Sequence, residues 1–471
     1  GRRFGARRGE SMTNSDLEFR EGEYGESVLA VEPGGIEAIP DGDRHGKARA
    51  LFATWASPNL EFATIYVGAL GVLFGLSFTQ AVIGILIGNG LGALAHYFLT
   101  QDGPRYGVPQ MVVGRAAFGK FGNIPPALAN WFAAGIGWFA VNSASGAFAL
   151  STLAHMSGVW ALLIVVLVQV TVAFLGHNLV QKVERYLMPY LVLVFGVAAV
   201  IALSKSHPSA PSHWYFPGAF LVFLGAVYGY AAGWNPFASD YSRYLPKTEN
   251  PKVAGASAAT GLFASAAILE IVGAGAATAG LHAYGPGTNP VGDFTNLLPG
   301  WLGKLVLLGV VLGSICANAL NIYSGSMSFL TLGIRAHKLP LRGIFAVVFG
   351  VAGFFVAHWS MSNPGNNFEN FLLVMSYWIG PWLGVIFADK ILRKGASVEH
   401  YLFKAHENPG GPIAFIVATV VSIWFFANNP WYTGVVPKHN GNFGDIAFPV
   451  GFAIAFLLYS AIAGKKVISE R

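Results

Sequence analysis

The sequence predicts an all-α polytopic membrane protein. Twelve transmembrane helices are expected, the first ten in a five-plus-five inverted repeat and the last two added at the C-terminal end. Three observations carry this. Hydrophobic residues make up 54% of the 471 and charged residues only 11%, against roughly 25% charged in a soluble domain. Twelve apolar stretches approach the length of about 20 residues that a helix needs to cross the hydrocarbon core. Helix-breaking residues interrupt two of them, the first and the sixth.

The composition excludes several classes. So much apolar surface does not close into one water-soluble core, which rules out a soluble enzyme and a disordered scaffold. The single Cys316 excludes an intrachain disulfide and a cysteine-only metal site. The twelve histidines form no HExxH spacing, and no Walker lysine motif or serine–histidine–aspartate relay stands out. The net charge of +6 reads as basic cytoplasmic loops and not as nucleic-acid binding. The 59 glycines suit closely packed membrane helices.

Residues 1–48 read as a polar cytoplasmic tail. Met12 is expected to be the start, which makes residues 1–11 an extension. The paired arginines there resemble a twin-arginine signal, but no apolar stretch follows before residue 51. The apolar stretches lie near 51–76, 80–99, 124–152, 159–175, 187–204, 217–235, 253–280, 302–331, 343–358, 368–389, 412–427 and 446–463. Lys and Arg placement orients them. With both termini inside, the tail holds eight basic residues, the other inner segments eighteen and the outer segments three. The domain plan is therefore a tail (1–48), a repeat core (49–395), and two further helices with a short tail (396–471).

The first break reads Trp55-Ala56-Ser57-Pro58-Asn59-Leu60-Glu61 and the sixth reads Ala232-Gly233-Trp234-Asn235-Pro236. Proline removes a backbone donor and clashes with the preceding turn. Free backbone groups at membrane depth survive where they line a cavity or bind something. A pair of interrupted helices at corresponding positions of two halves points to a transport site.

Three spans carry candidate chemistry. In span three, Trp138 and Asn142 share a helix face. An indole beside an amide can stack on a flat ring and bond its edge. Span six offers Trp234 next to Gly233 for the opposite face of such a ring. Span eight places Asn318, Asn321 and Ser324 along one face, and amides supply both donors and acceptors. Each of these has a plainer alternative as packing or interhelical hydrogen bonding. Glu61 and Glu270 are carboxylates inside apolar spans, where such groups are functional by default. Glu184, within Lys182-Val183-Glu184-Arg185, reads instead as a cytoplasmic ion pair.

These residues resemble the nucleobase–cation symport family one, in its purine–cytosine permease branch. The resemblance covers about residues 46 to 465. Its most specific piece is the run from Ala232 to Tyr244, supported by Gly137-Trp138 with Asn142, by the Asn-rich eighth helix, and by Gly380-Pro381-Trp382-Leu383-Gly384 with Asp389. The family implies a LeuT-like core in which two tryptophans sandwich the heterocycle. Trp138 and Trp234 match them. Substrate contacts map to Asn142 and Gly233, to Asn318 or in the alternative register Asn321, and to Ser57 at the first break. The family's sodium site maps to Ala56, Asn59 and Leu60 on helix one and to Gly313, Ser314 and Ala317 on helix eight. Sodium-dependent hydantoin members carry adjacent hydroxyls on helix eight, whereas this chain has Gly313-Ser314 and Cys316-Ala317. The coupling ion is therefore left as sodium or a proton, with Glu61 as the carboxylate for the latter.

The expectation is a secondary active importer of cytosine or a purine base, working by cation symport through alternating access in the plasma membrane. It needs no cofactor, no nucleic acid and no protein partner beyond the small-molecule base and the bilayer. The alternatives are an allantoin or hydantoin permease of the same fold and, from another class, a membrane receptor that does not transport.

Overall fold

A computed structural model describes residues 36–175, 177–213, 217–332 and 341–471. Residues 1–35 of the expected tail lie outside the described residues. The spans follow the expected order. Span one is two helices, Leu51–Ala56 and Phe62–Leu73, joined by a 3-10 turn at Ser57–Asn59. Span two is Phe78–Thr100, and span three runs from Ile124 to Ala154. Spans four and five are Gly158–Leu175 and His177–Ser204. Span six is Gly218–Ala232, then a 3-10 turn at Asn235–Phe237 and a short helix, Ala238–Ser242. Spans seven to ten are Pro251–Ala279, Gly300–Leu330, Leu341–Met361 and Pro364–Arg393. Spans eleven and twelve are Gly410–Phe426 and Ala447–Ser469. Among the described residues, eight helices are long and apolar enough to cross a membrane, and the second half of span one, span four and span eleven are shorter apolar helices.

Local chemistry sets the boundaries. Ser77 and Gln80 form a reciprocal capping box at the start of span two. Asn250 caps the Lys252 amide ahead of Pro251, which opens span seven at a position that needs no N–H. Span five begins ten residues before the expected 187, because Lys182, Glu184 and Arg185 are good helix formers and only the hydropathy falls there. Span three contains a π-helical stretch, Phe132–Trp138, that its periodicity does not announce.

The packing map shows the inverted repeat. Span seven packs on both halves of span one, and span six packs on span two. These two contacts exchange when each span n is replaced by n+5. Spans three and eight, and spans four and nine, pack on each other; span three also meets nine, as eight meets four. The result is a bundle of spans one, two, six and seven beside a second unit of three, four, eight and nine. Glycines set the closest crossings. A Cβ on Gly68 would lie 1.7 Å from the Glu270 carbonyl oxygen, and one on Gly273 1.7 Å from that of Ile65. Span ten packs on six and twelve, and Gly380 and Gly384 let the backbones of ten and twelve approach. The Gly380–Gly384 motif is thus a packing seam.

Candidate functional site

The break in span one is two residues long. Leu60 (φ −78°, ψ 65°) and Glu61 (φ −146°, ψ 164°) leave the helical region, and the helix resumes at Phe62. The indole planes of Trp138 and Trp234 lie beside this break, 5° from parallel with centroids 6.4 Å apart. A flat ring placed between two others needs about 7 Å, twice the carbon contact distance. The centroid separation is an upper bound on the gap between the planes, so the slot they form must widen by at least about half an ångström to take a ring. Gly233 keeps it narrow: a Cβ there would sit 3.1 Å from Cζ2 of Trp138.

Trp234 is held from behind. Its Nε1 donates to Oδ1 of Asn59 at 3.0 Å, and the Tyr230 hydroxyl donates to the same oxygen at 2.9 Å. The Asn59 amide donates in turn to Ser265 Oγ at 3.0 Å. Asn59 therefore positions a wall of the slot and does not face the span one–span eight contact where a cation ligand was expected. Tyr230 was not anticipated; its ring also meets Trp138 edge-on at 5.5 Å.

A polar cluster lies one helical turn along span three from Trp138. With its amide oriented as its neighbours require, Asn142 donates to both Glu61 carboxylate oxygens at 2.8 and 3.3 Å and accepts from Asn321 Nδ2 at 3.1 Å. Glu61, Asn142 and Asn321 are all buried. Asn318 is occupied differently: its amide donates to the Phe139 carbonyl and to Ser143 Oγ, each at 3.0 Å, and its oxygen accepts from Asn321. It ties span eight to span three, so the alternative register, Asn321, is the one that reaches the Glu61–Asn142 pair.

A second, much smaller cavity of about 10 Å³ lies on the other side of the break, lined by Ser57, Leu60, Glu184, Gly313, Cys316 and Ala317. This separates the expected sets. Ser57, expected at the substrate, lines the small cavity. Ser314, expected at the cation, turns toward span three: its Oγ donates to the Val311 carbonyl at 2.8 Å and lies 2.4 Å from where a Gly146 Cβ would be. Ala56 is buried but is not among the lining residues. Glu61 faces Asn142, not this cavity. Among the described residues Glu184 makes no ion pair or hydrogen bond, and the cytoplasmic ion pair expected for it is not found there. Glu270 accepts from Asn89 Nδ2 at 2.6 Å between spans seven and two.

Access differs on the two sides. A cavity of about 200 Å³ reaches down to Gly137, Ala140 and Val141 from Pro290, Trp431 and Pro364 at the start of span ten. Phe371 of span ten stands edge-on over Trp138 at 4.9 Å. Toward the end carrying the termini, Trp55 packs edge-on against Trp234, His96 and Tyr241 at 5.8, 4.2 and 5.3 Å. The slot is thus approached from one side and plugged by aromatic rings on the other.

Residues 38–451 match the family described as permease for cytosine/purines, uracil, thiamine, allantoin. The chain belongs to this family. It is 30% identical over 93% of its length to YxlA of Bacillus subtilis (strain 168), provisionally named a purine-cytosine permease, and covers 97% of that protein. It is 27% identical over 97% of its length to the purine-cytosine permease fcyB of Emericella nidulans, covering 92% of it. Its fold is that of Mhp1, a nucleobase-cation-symport-1 family transporter solved in a closed conformation with bromovinylhydantoin bound. The TM-score is 0.70 at 18% identity, covering 94% of this chain and 96% of that one. The permease is a transporter and not an enzyme, and its broken helices are those of a LeuT-like core.

Proposed function

We propose that this permease imports cytosine or a purine base by cation symport, with Trp138 and Trp234 stacking on the ring. The parallel tryptophan pair, with a carboxylate and two amides clustered one helical turn from Trp138, is the observation that supports this most. Glu61 accepts from an exocyclic amine or ring N–H, while Asn142 and Asn321 supply donors and acceptors to the remaining edge. Each stack contributes ~0.5–1.5 kcal/mol beyond burial. The names of the purine-cytosine relatives support the substrate class.

In this reading the cation favours the conformation that binds the base, and the two units rock about the site to expose it alternately. The basic residues of the tail and inner loops support a plasma-membrane orientation with both termini in the cytoplasm, and in that orientation the 200 Å³ cavity faces outward. The repeat core is taken as 49–395, with 396–471 a buttress on span ten.

The test is uptake of labelled cytosine into proteoliposomes under separate sodium and proton gradients, with adenine, hypoxanthine, uracil, allantoin and benzylhydantoin as competitors. Saturable uptake that Trp138→Ala abolishes without loss of protein is expected. Normal uptake by that variant removes the sandwich. Binding without exchange would make the chain a receptor.

A further inference from the structure

The small cavity beside the span-one break holds a carboxylate that the sequence pattern disguises. Glu184, Leu187, Met188 and Leu191 recur at three- and four-residue spacing and form one face of span five lining it. Lys182 and Arg185 on the same helix are exposed, so neither neighbour in sequence neutralises Glu184. Among the described residues no ion pair or hydrogen bond engages its carboxylate, and it is partly buried. Intramembrane carboxylates are costly to retain without a partner.

The other walls lack the groups that such a position needs. From span eight, Gly313, Cys316 and Ala317 offer no side-chain oxygen. From span one come the Ser57 hydroxyl and the Leu60 carbonyl, whose oxygen lies 3.5 Å from where a Gly313 Cβ would be. That carbonyl is available because the helix breaks there. The cavity is thus electronegative on two walls and carries no positive side chain.

We infer that Glu184 is the charged ligand of the coupling cation, holding a sodium ion with the Ser57 hydroxyl and the Leu60 carbonyl between spans one, five and eight. This rests on the reading of the chain as a cation symporter. A cavity of about 10 Å³ is the size of one small, nearly dehydrated ion or one water. One carboxylate and a few neutral oxygens match a monovalent charge, whereas calcium takes about 6–8 oxygens and magnesium an octahedron. The carboxylate supplies in charge what Cys316 and Ala317 do not supply in hydroxyls.

The experiment uses the purified full chain in detergent without nucleobase. Its thermal midpoint is followed in sodium chloride against choline chloride at equal ionic strength, because a ion bound only by the folded state raises it. A saturable sodium-dependent rise is expected for the wild type. Glu184→Gln should raise the half-saturating sodium concentration roughly a hundredfold, as expected when a charge is lost from a poorly hydrated site. Glu184→Asp should fall between the two. Ala317→Ser, which adds an oxygen to the opposite wall, should lower it. Glu184→Gln must also melt cooperatively in choline, which separates a lost site from a lost fold; Ala317→Ser tests the site independently if it does not. An unchanged sodium response in Glu184→Gln, or none in the wild type, overturns the inference. A wild type that responds to sodium but takes up no nucleobase keeps the site and refutes the substrate. Proton-driven cytosine uptake without a sodium response does the reverse.

Discussion

Replacing Asn59 by Leu separates two roles for the first break. The side chain has similar volume, so the packing changes little, but the shared acceptor of Trp234 and Tyr230 is gone. Tyr230 keeps the Thr64 hydroxyl at 2.5 Å. Among the described residues the Trp234 Nε1, at 3.0 Å from Asn59, has no second partner. A buried donor left unmatched costs about 1–3 kcal/mol. The indole is then expected to rotate out of parallel with Trp138, and the base loses one stack, ~0.5–1.5 kcal/mol. That corresponds to a rise in Kd of about two- to tenfold. The assay is equilibrium binding of labelled base to purified protein at saturating sodium, with the sodium titration repeated at fixed base. The reasoning predicts a weaker Kd and an unchanged half-saturating sodium concentration. An unchanged Kd with a shifted sodium dependence would refute it and return Asn59 to the cation.

Asn318→Ala and Asn321→Ala should differ in kind. The first removes the two hydrogen bonds that span eight donates to span three and should lower the thermal midpoint more than it weakens base binding. The second should raise Kd with a smaller change in midpoint; equal effects in both assays would put the two amides back on a par. At the end carrying the termini, Glu249 accepts from the Ala48 amide at 2.7 Å. That bond, with Lys47, holds its carboxyl below the ordinary range. The hold it gives the segment before span one is therefore complete above the ordinary carboxylate pKa and is lost as pH falls through the depressed value. Cleavage at Lys47 by an acid-tolerant protease should accelerate as pH drops through that window, and Glu249→Gln should make it insensitive to pH.

The membrane fold was legible because its signals are long-range averages. Twelve apolar stretches, the distribution of basic residues and two proline-marked breaks survive any local ambiguity. Trp138, Asn142 and Trp234 stood out because indoles and an amide at helical spacing lie next to a broken helix, and the structure brings the two indoles parallel. The partition of span one was not legible. Ser57 and Asn59 are two residues apart, and a 3-10 turn, not an α-helix, decides that the first faces span five and the second faces Trp234. Ser314 looked like a cation ligand by position but lies on the face of span eight that meets Gly146. Glu184 was hidden by its basic neighbours, because a charge cluster in sequence reads as a solvated end when the helix in fact continues through it.

The break leaves two carboxylates on opposite sides of one backbone turn, Glu61 toward Asn142 and Glu184 in the small cavity. Leu60 is the only residue between the Glu61 side and the 3-10 turn that carries Ser57. An ion drawn to the Leu60 carbonyl would therefore bias the backbone that sets the direction of Glu61, the proposed acceptor for the base. Such coupling is reciprocal: if sodium tightens base binding by some factor, the base must tighten sodium binding by the same factor. Glu61→Gln replaces an acceptor pair with one acceptor and one donor. It should weaken binding of an amino-substituted base such as cytosine at saturating sodium, while sodium alone still raises the thermal midpoint as in the wild type. In this variant the factor by which cytosine tightens sodium should shrink by as much as sodium's effect on cytosine. A Glu61→Gln variant that binds cytosine normally but no longer responds to sodium would assign the ion to Glu61 and leave the second carboxylate without a role.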